Sequence, residues 1–110
     1  MSHYHEPGDS KFRDQMLQTA PDEYKALGGL MRAAFREGGA IPAKTRELIA
    51  IAVAHATSCP YCIEAHVKAA KKLGATKEEV SEAIMIAAAL CAGAAAAHGG
   101  MAIKFFDKEA

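Results

Sequence analysis

The chain has 110 residues, 51% of them hydrophobic, which is enough for one domain over residues 1–110 that buries roughly 65% of its unfolded surface without staples. Thirteen basic residues balance thirteen acidic ones and no basic run stands out, so nucleic acid and anionic membrane surfaces are excluded as main partners. Three cysteines are too few for a disulfide scaffold, and the start Met1-Ser2-His3-Tyr4-His5 lacks the charged-then-apolar layout of a signal peptide. The expected home is the reducing cytoplasm, where a C-x-x-C is more often redox-active or metal-binding than a structural staple.

Helix signals recur along the chain and strand signals do not. Lys11 to Thr19 reads as a short helix. Pro21-Asp22-Glu23 opens the next, with Pro at a first helical position and acids in the first turn, and Gly38-Gly39 closes it after Phe35-Arg36-Glu37. Pro42 opens a third, whose apolar positions Leu48, Ile51 and Ala52 repeat at helical spacing and which breaks at Thr57-Ser58-Cys59. Pro60 starts a fourth that ends at Leu73, with Gly74 as a left-handed cap. Thr76-Lys77-Glu78-Glu79 is a capping box for a long last helix.

From Ala83 to Ile103 that helix carries no Asp, Glu, Lys or Arg, a length that by itself qualifies for a membrane span. Much of it is alanine, a weak hydrophobe, and Cys91, Gly93, His98, Gly99 and Gly100 interrupt it, so the membrane reading is rejected. A helix apolar all round needs cover all round, and so short a chain has few helices to supply it. The expected cover is another subunit of a closed homo-oligomer, the alternative being an unusually tight monomeric bundle. Cys91, inside the apolar run, reads as a small buried hydrophobe with no role.

The reactive chemistry lies at Cys59-Pro60-Tyr61-Cys62, with His66 four residues later and Glu47 twelve earlier. A C-x-x-C pair can close into a disulfide. Because the residue before a proline is pushed out of the helical region, Cys59 is expected as the N-cap of a helix begun by Pro60, Tyr61 and Cys62. Exposed amides and the helix dipole stabilise a thiolate there. That argument favours Cys59 as the activated thiol, whereas His66, one turn beyond Cys62 on the same face, favours Cys62. The two remain unranked by spacing.

Glu47 lies about nine residues before the break and His66 about seven after Pro60, so an antiparallel fold-back brings them within about a turn, whereas one unbroken helix leaves Glu47 about 18 Å from Cys59. The competing reading of Glu47 is a surface carboxylate paired with Lys44 or Arg46, and of His66 a solvated helix histidine. Tyr61 shields the sulfurs, meets a substrate or simply packs. His55 borders the thiols from one turn before the break. His98, near Gly99-Gly100, is an ordinary partner for a helix dipole. Zinc is the competing site chemistry: Cys59, Cys62 and His66 supply three ligands, with His55, His98 or Glu47 as a fourth, although a second C-x-x-C or an H-x-x-H is absent.

Glu47, Cys59-Pro60-Tyr61-Cys62 and His66, set in Glu47-Leu48-Ile49-Ala50-Ile51-Ala52-Val53-Ala54-His55 and followed by Lys71-Lys72-Leu73-Gly74-Ala75-Thr76, resemble the AhpD-like alkylhydroperoxidase branch of the carboxymuconolactone decarboxylase family. The resemblance covers Ile41 to Leu90. It implies an all-α bundle of about five to six helices assembled as trimers or hexamers, with the site close to subunit contacts. It also implies a thiol-dependent peroxidase or disulfide reductase: Cys62 attacks the hydroperoxide, Cys59 resolves, and Glu47 and His66 relay protons. No cofactor beyond the redox-active disulfide is implied, and the reductant is an external dithiol such as a thioredoxin-like or lipoyl protein. The chain departs from the characterised hydroperoxidase in carrying Tyr61 where that enzyme has a histidine, and in not being a tandem duplication. The decarboxylase members lack the paired cysteines, which makes a lactone decarboxylase-like enzyme the further alternative.

Overall fold

In a computed structural model, residues 6–108 are described, and the histidines of Met1 to His5 lie outside them. Among the described residues the fold is all-helical: a 3-10 turn at Pro7–Asp9, then α1 (Ser10–Thr19), α2 (Pro21–Ala34), α3 (Ala43–Ala56), α4 (Pro60–Lys72) and α5 (Lys77–Asp107). The chain divides into two compact units, with the boundary between Arg36 and Glu37.

The first unit is a helical hairpin. Its opening turn is closed by Asp9, whose carboxylate accepts the Glu6 amide at 2.8 Å. Ala20 joins α1 to α2, donating its N–H to the Met16 carbonyl at 2.8 Å, and Pro21 begins α2 with Asp22 and Glu23 in the first turn, as the macrodipole favours. α2 ends at Ala34, somewhat before the expected Gly38-Gly39 closure. The reason is local: the Phe35 amide still reaches Met31 at 3.1 Å, but the Arg36 guanidinium turns back to cap the Ala33 carbonyl at 3.0 Å. Gly38, at φ 76°, takes the left-handed turn that follows.

In the second unit α3 is the shared wall, with α4 and α5 both packed on it. Among the described residues, Ile51, Ala54, Ala70 and Ala87 are the buried apolar ones. α3 stops in a Schellman motif: the Ser58 amide bonds the His55 carbonyl at 3.3 Å and the Cys59 amide bonds Ala54 at 2.9 Å, with Ser58 left-handed at φ 54°. α4 ends the same way at Gly74, φ 88°, with Gly74 bonding Lys71 at 3.1 Å and Ala75 bonding Ala70 at 3.0 Å. The expected capping box starts α5: Thr76 Oγ1 accepts the Glu79 amide at 3.1 Å and Glu79 Oε1 accepts the Thr76 amide at 2.9 Å.

α5 runs for 31 residues. From Ala88 onward its described residues are exposed, apart from half-buried Gly99. Leu90 is 70% exposed and Phe106 87%. Cys91 is exposed, not buried as its apolar surroundings suggested, because no described helix of the second unit covers that stretch. Leu48, Ile49, Ala52, Val53, Ala83 and Ile86 line an open apolar groove of about 420 Å³ between α3 and α5.

Candidate active site

The α3–α4 corner builds the site from backbone rules. Pro60 is the first residue of α4, which pushes Cys59 into extended geometry at φ −106°, ψ 95° and makes it the N-cap. Its sulfur accepts the Cys62 amide at 3.2 Å, taking the capping role that a Ser or Asp oxygen plays elsewhere. The Cys59 carbonyl accepts the Ile63 amide at 3.0 Å. Cys59 and Cys62 are joined as a disulfide, their Cα atoms 5.3 Å apart, and both are half-buried.

The fold-back of α4 on α3 puts Glu47 beside His66: Nδ1 of the imidazole donates to Oε2 of the carboxylate at 2.6 Å. The side chains are only 12% and 16% exposed, so water competes weakly for either partner. A carboxylate can only accept, so Nδ1 carries the proton and, in the neutral ring, Nε2 is the basic nitrogen. His66 stands one turn beyond Cys62 on α4, which places this pair and the disulfide on one helix face.

Neither neighbouring cation takes Glu47, the competing reading of that residue. Lys44 pairs with Glu79 on α5, Nζ to Oε2 at 3.0 Å, and Arg46 Nε donates to the Ile41 carbonyl at 2.9 Å. Glu79 is held below the ordinary carboxylate range by the Thr76 amide first and by Lys44 second.

The accessory residues are spread more widely. His55 Nδ1 donates to the Ile51 carbonyl at 2.8 Å, fixing its tautomer on α3. Tyr61 is half-buried in the first turn of α4, and His98 is exposed on the uncovered half of α5. Among the described residues no group of three His, Cys, Asp or Glu side chains converges as a metal would require. Ser58 lies in the expected break, but its left-handed conformation is not legible in the sequence, since no glycine announces it.

A helical hairpin thus holds a C-x-x-C disulfide at a helix start, on the same helix as the imidazole of a carboxylate–imidazole pair. The chain belongs to the carboxymuconolactone decarboxylase family, whose profile matches residues 21–103. The family includes decarboxylases and alkylhydroperoxidases. It is 49% identical over 83 residues to "Uncharacterized protein 4 in cox locus" of Paracoccus denitrificans, covering 76% of this chain and 74% of that protein. An uncharacterized protein of Cupriavidus necator is 33% identical over 90 residues, covering 82% and 79%. Among solved structures, an apo carboxymuconolactone decarboxylase family protein from Legionella pneumophila superposes with a TM-score of 0.65 at 34% identity, covering 74% of this chain and 71% of that one.

Proposed function

We propose that this protein is a cytoplasmic thiol-dependent peroxidase or disulfide reductase of the AhpD-like kind, and that the disulfide is its oxidised resting state. The observation that carries the reading is the Cys59–Cys62 bond at the start of α4, on the helix that brings His66 to Glu47.

In the reduced protein, Nε2 of His66 takes the Cys62 proton while Glu47 steadies the imidazolium through Nδ1. The Cys62 thiolate attacks the O–O bond of a hydroperoxide. Cys62 becomes a sulfenic acid, and the departing alkoxide takes a proton from His66 to leave as the alcohol. The Cys59 thiolate then displaces hydroxide from the Cys62 sulfur. With one proton it leaves as water, and the disulfide forms. The Cys62 amide that caps the Cys59 sulfur stabilises that thiolate before it attacks. An external dithiol, a thioredoxin-like or lipoyl protein, then attacks the disulfide and carries its two electrons back. The exposed apolar residues of α5, Leu90 and Phe106 among them, support a homo-oligomer as the working form, a trimer or hexamer by the family resemblance.

The experiment is a titration of free thiols in reduced protein before and after one equivalent of cumene hydroperoxide. The expected result is loss of two thiols per chain, with the sulfenic acid trapped by dimedone in Cys59→Ser. No loss, or full loss of two thiols in Cys59→Ser, overturns the mechanism. Metal analysis of the same preparation gives the alternative its hearing: stoichiometric zinc blocking thiol labelling identifies a binding module. Turnover of a carboxylated lactone by Cys62→Ser identifies a decarboxylase-like enzyme.

A further inference from the structure

Lys44 stands on α3 where it can serve either of two carboxylates. At about 100° per residue it lies about 60° around the helix from Glu47, on the flank between the α4-facing side and the groove facing α5. One turn separates it from Glu47, the spacing at which helix side chains meet. The structure gives it to Glu79 instead, at 3.0 Å. Glu79 is not a loose surface acid: its Oε1 is held by the Thr76 amide at 2.9 Å, which leaves Oε2 aimed at the lysine.

From this geometry we infer that Glu79 is a positioning residue for the redox site, holding Lys44 off Glu47 so that the Glu47 carboxylate serves His66 alone. The inference rests on the proposed proton relay for its functional meaning, while its structural content concerns only which cation Glu47 meets. The charged groups around Glu47 agree with this division. On its own helix are Lys44 and Arg46, the latter anchored to Ile41. α4 brings His66, while its Lys68 is paired with Glu64 at 2.7 Å and Lys71 and Lys72 are exposed. The charged residues that α5 brings to the shared groove are Glu79 and Glu82. Lys44 is thus the α3 cation that Glu79 draws toward α5.

A lysine moved onto Glu47 would compete for the carboxylate, so the bond that Nδ1 of His66 donates to it would weaken. The test is NMR of the His66 imidazole in the oxidised protein at one fixed pH, with no peroxide present, so its outcome is independent of whether the chain is a peroxidase. The readout is the Nδ1–H resonance, which lies downfield in a strong hydrogen bond. Glu79→Gln, which keeps a capping side chain, is expected to move it upfield, and Lys44→Met alone is expected not to. The double variant Lys44→Met/Glu79→Gln is expected to return it to the parent position. An unchanged resonance in Glu79→Gln overturns the inference. An upfield shift that persists in the double variant also overturns it, because the effect then comes from the α5 cap rather than the lysine.

Discussion

Glu47 and His66, separated by 19 positions in the sequence, share a 2.6 Å hydrogen bond across two helices. Their separation in the chain means that this contact exists only while α4 lies folded back on α3. It therefore reports the hairpin.

Removing either partner leaves the other shielded from water without its bond. His66→Ala and Glu47→Ala are each expected to lower stability by about 1–3 kcal/mol in urea unfolding. Under the proposed relay, Glu47→Gln, which keeps the packing, slows peroxide-driven thiol loss on the order of 10²-fold. Stability and rate measured on the same variants separate the two roles.

Ser58 holds a left-handed conformation at φ 54° so that α3 can end and Cys59 can begin α4. A branched side chain is poorly tolerated there, and Ser58→Val is expected to cost about 2 kcal/mol and to slow reclosure of the disulfide. Ser58→Gly relieves the backbone but frees the unfolded chain, so its change in stability is expected to stay within about 0.5 kcal/mol. Chemical denaturation and air reoxidation of reduced protein read both effects.

The Glu79 carboxyl, held below its ordinary value of 4.5 by the Thr76 amide and then by Lys44, makes a stabilising contribution with a defined pH window. That contribution is present above the ordinary value and is lost as pH falls through the lowered folded-state value. Glu79→Gln is expected to flatten this part of the acid limb and leave stability near neutrality less dependent on Lys44. Unfolding midpoints collected between neutral pH and the acid limb check it.

Leu90 is 70% exposed on the uncovered half of α5. If the chain worked alone, Leu90→Glu would be a surface change worth no more than about 0.5 kcal/mol. In the proposed homo-oligomer it places a charge in an apolar contact. The expected result is a parent protein several times heavier than 11.6 kDa by light scattering, and a variant that dissociates and melts earlier.

Local punctuation made most of the scaffold legible. Pro21, Pro60, Gly74 and the Thr76–Glu79 box act on the backbone within a turn of themselves, and the helices begin and end at or near them. The meeting of Glu47 with His66 follows from counting residues either side of one break. The destination of Lys44 does not, since it depends on which side of α3 the last helix crosses. Cys91 misled for a related reason: composition tells that a surface is apolar, but only coordinates tell what lies against it. The left-handed Ser58 was hidden because a side chain sits where glycine would have signalled the turn.

Cys59 belongs to two helices at once. Its amide closes α3 by bonding Ala54, and its carbonyl opens α4 by bonding Ile63, so the main chain of the corner is pinned on both sides without help from sulfur. Breaking the bond to Cys62 therefore releases a pair of thiols from a frame that stays put. Under the proposed chemistry, electrons enter and leave repeatedly while the architecture stands still.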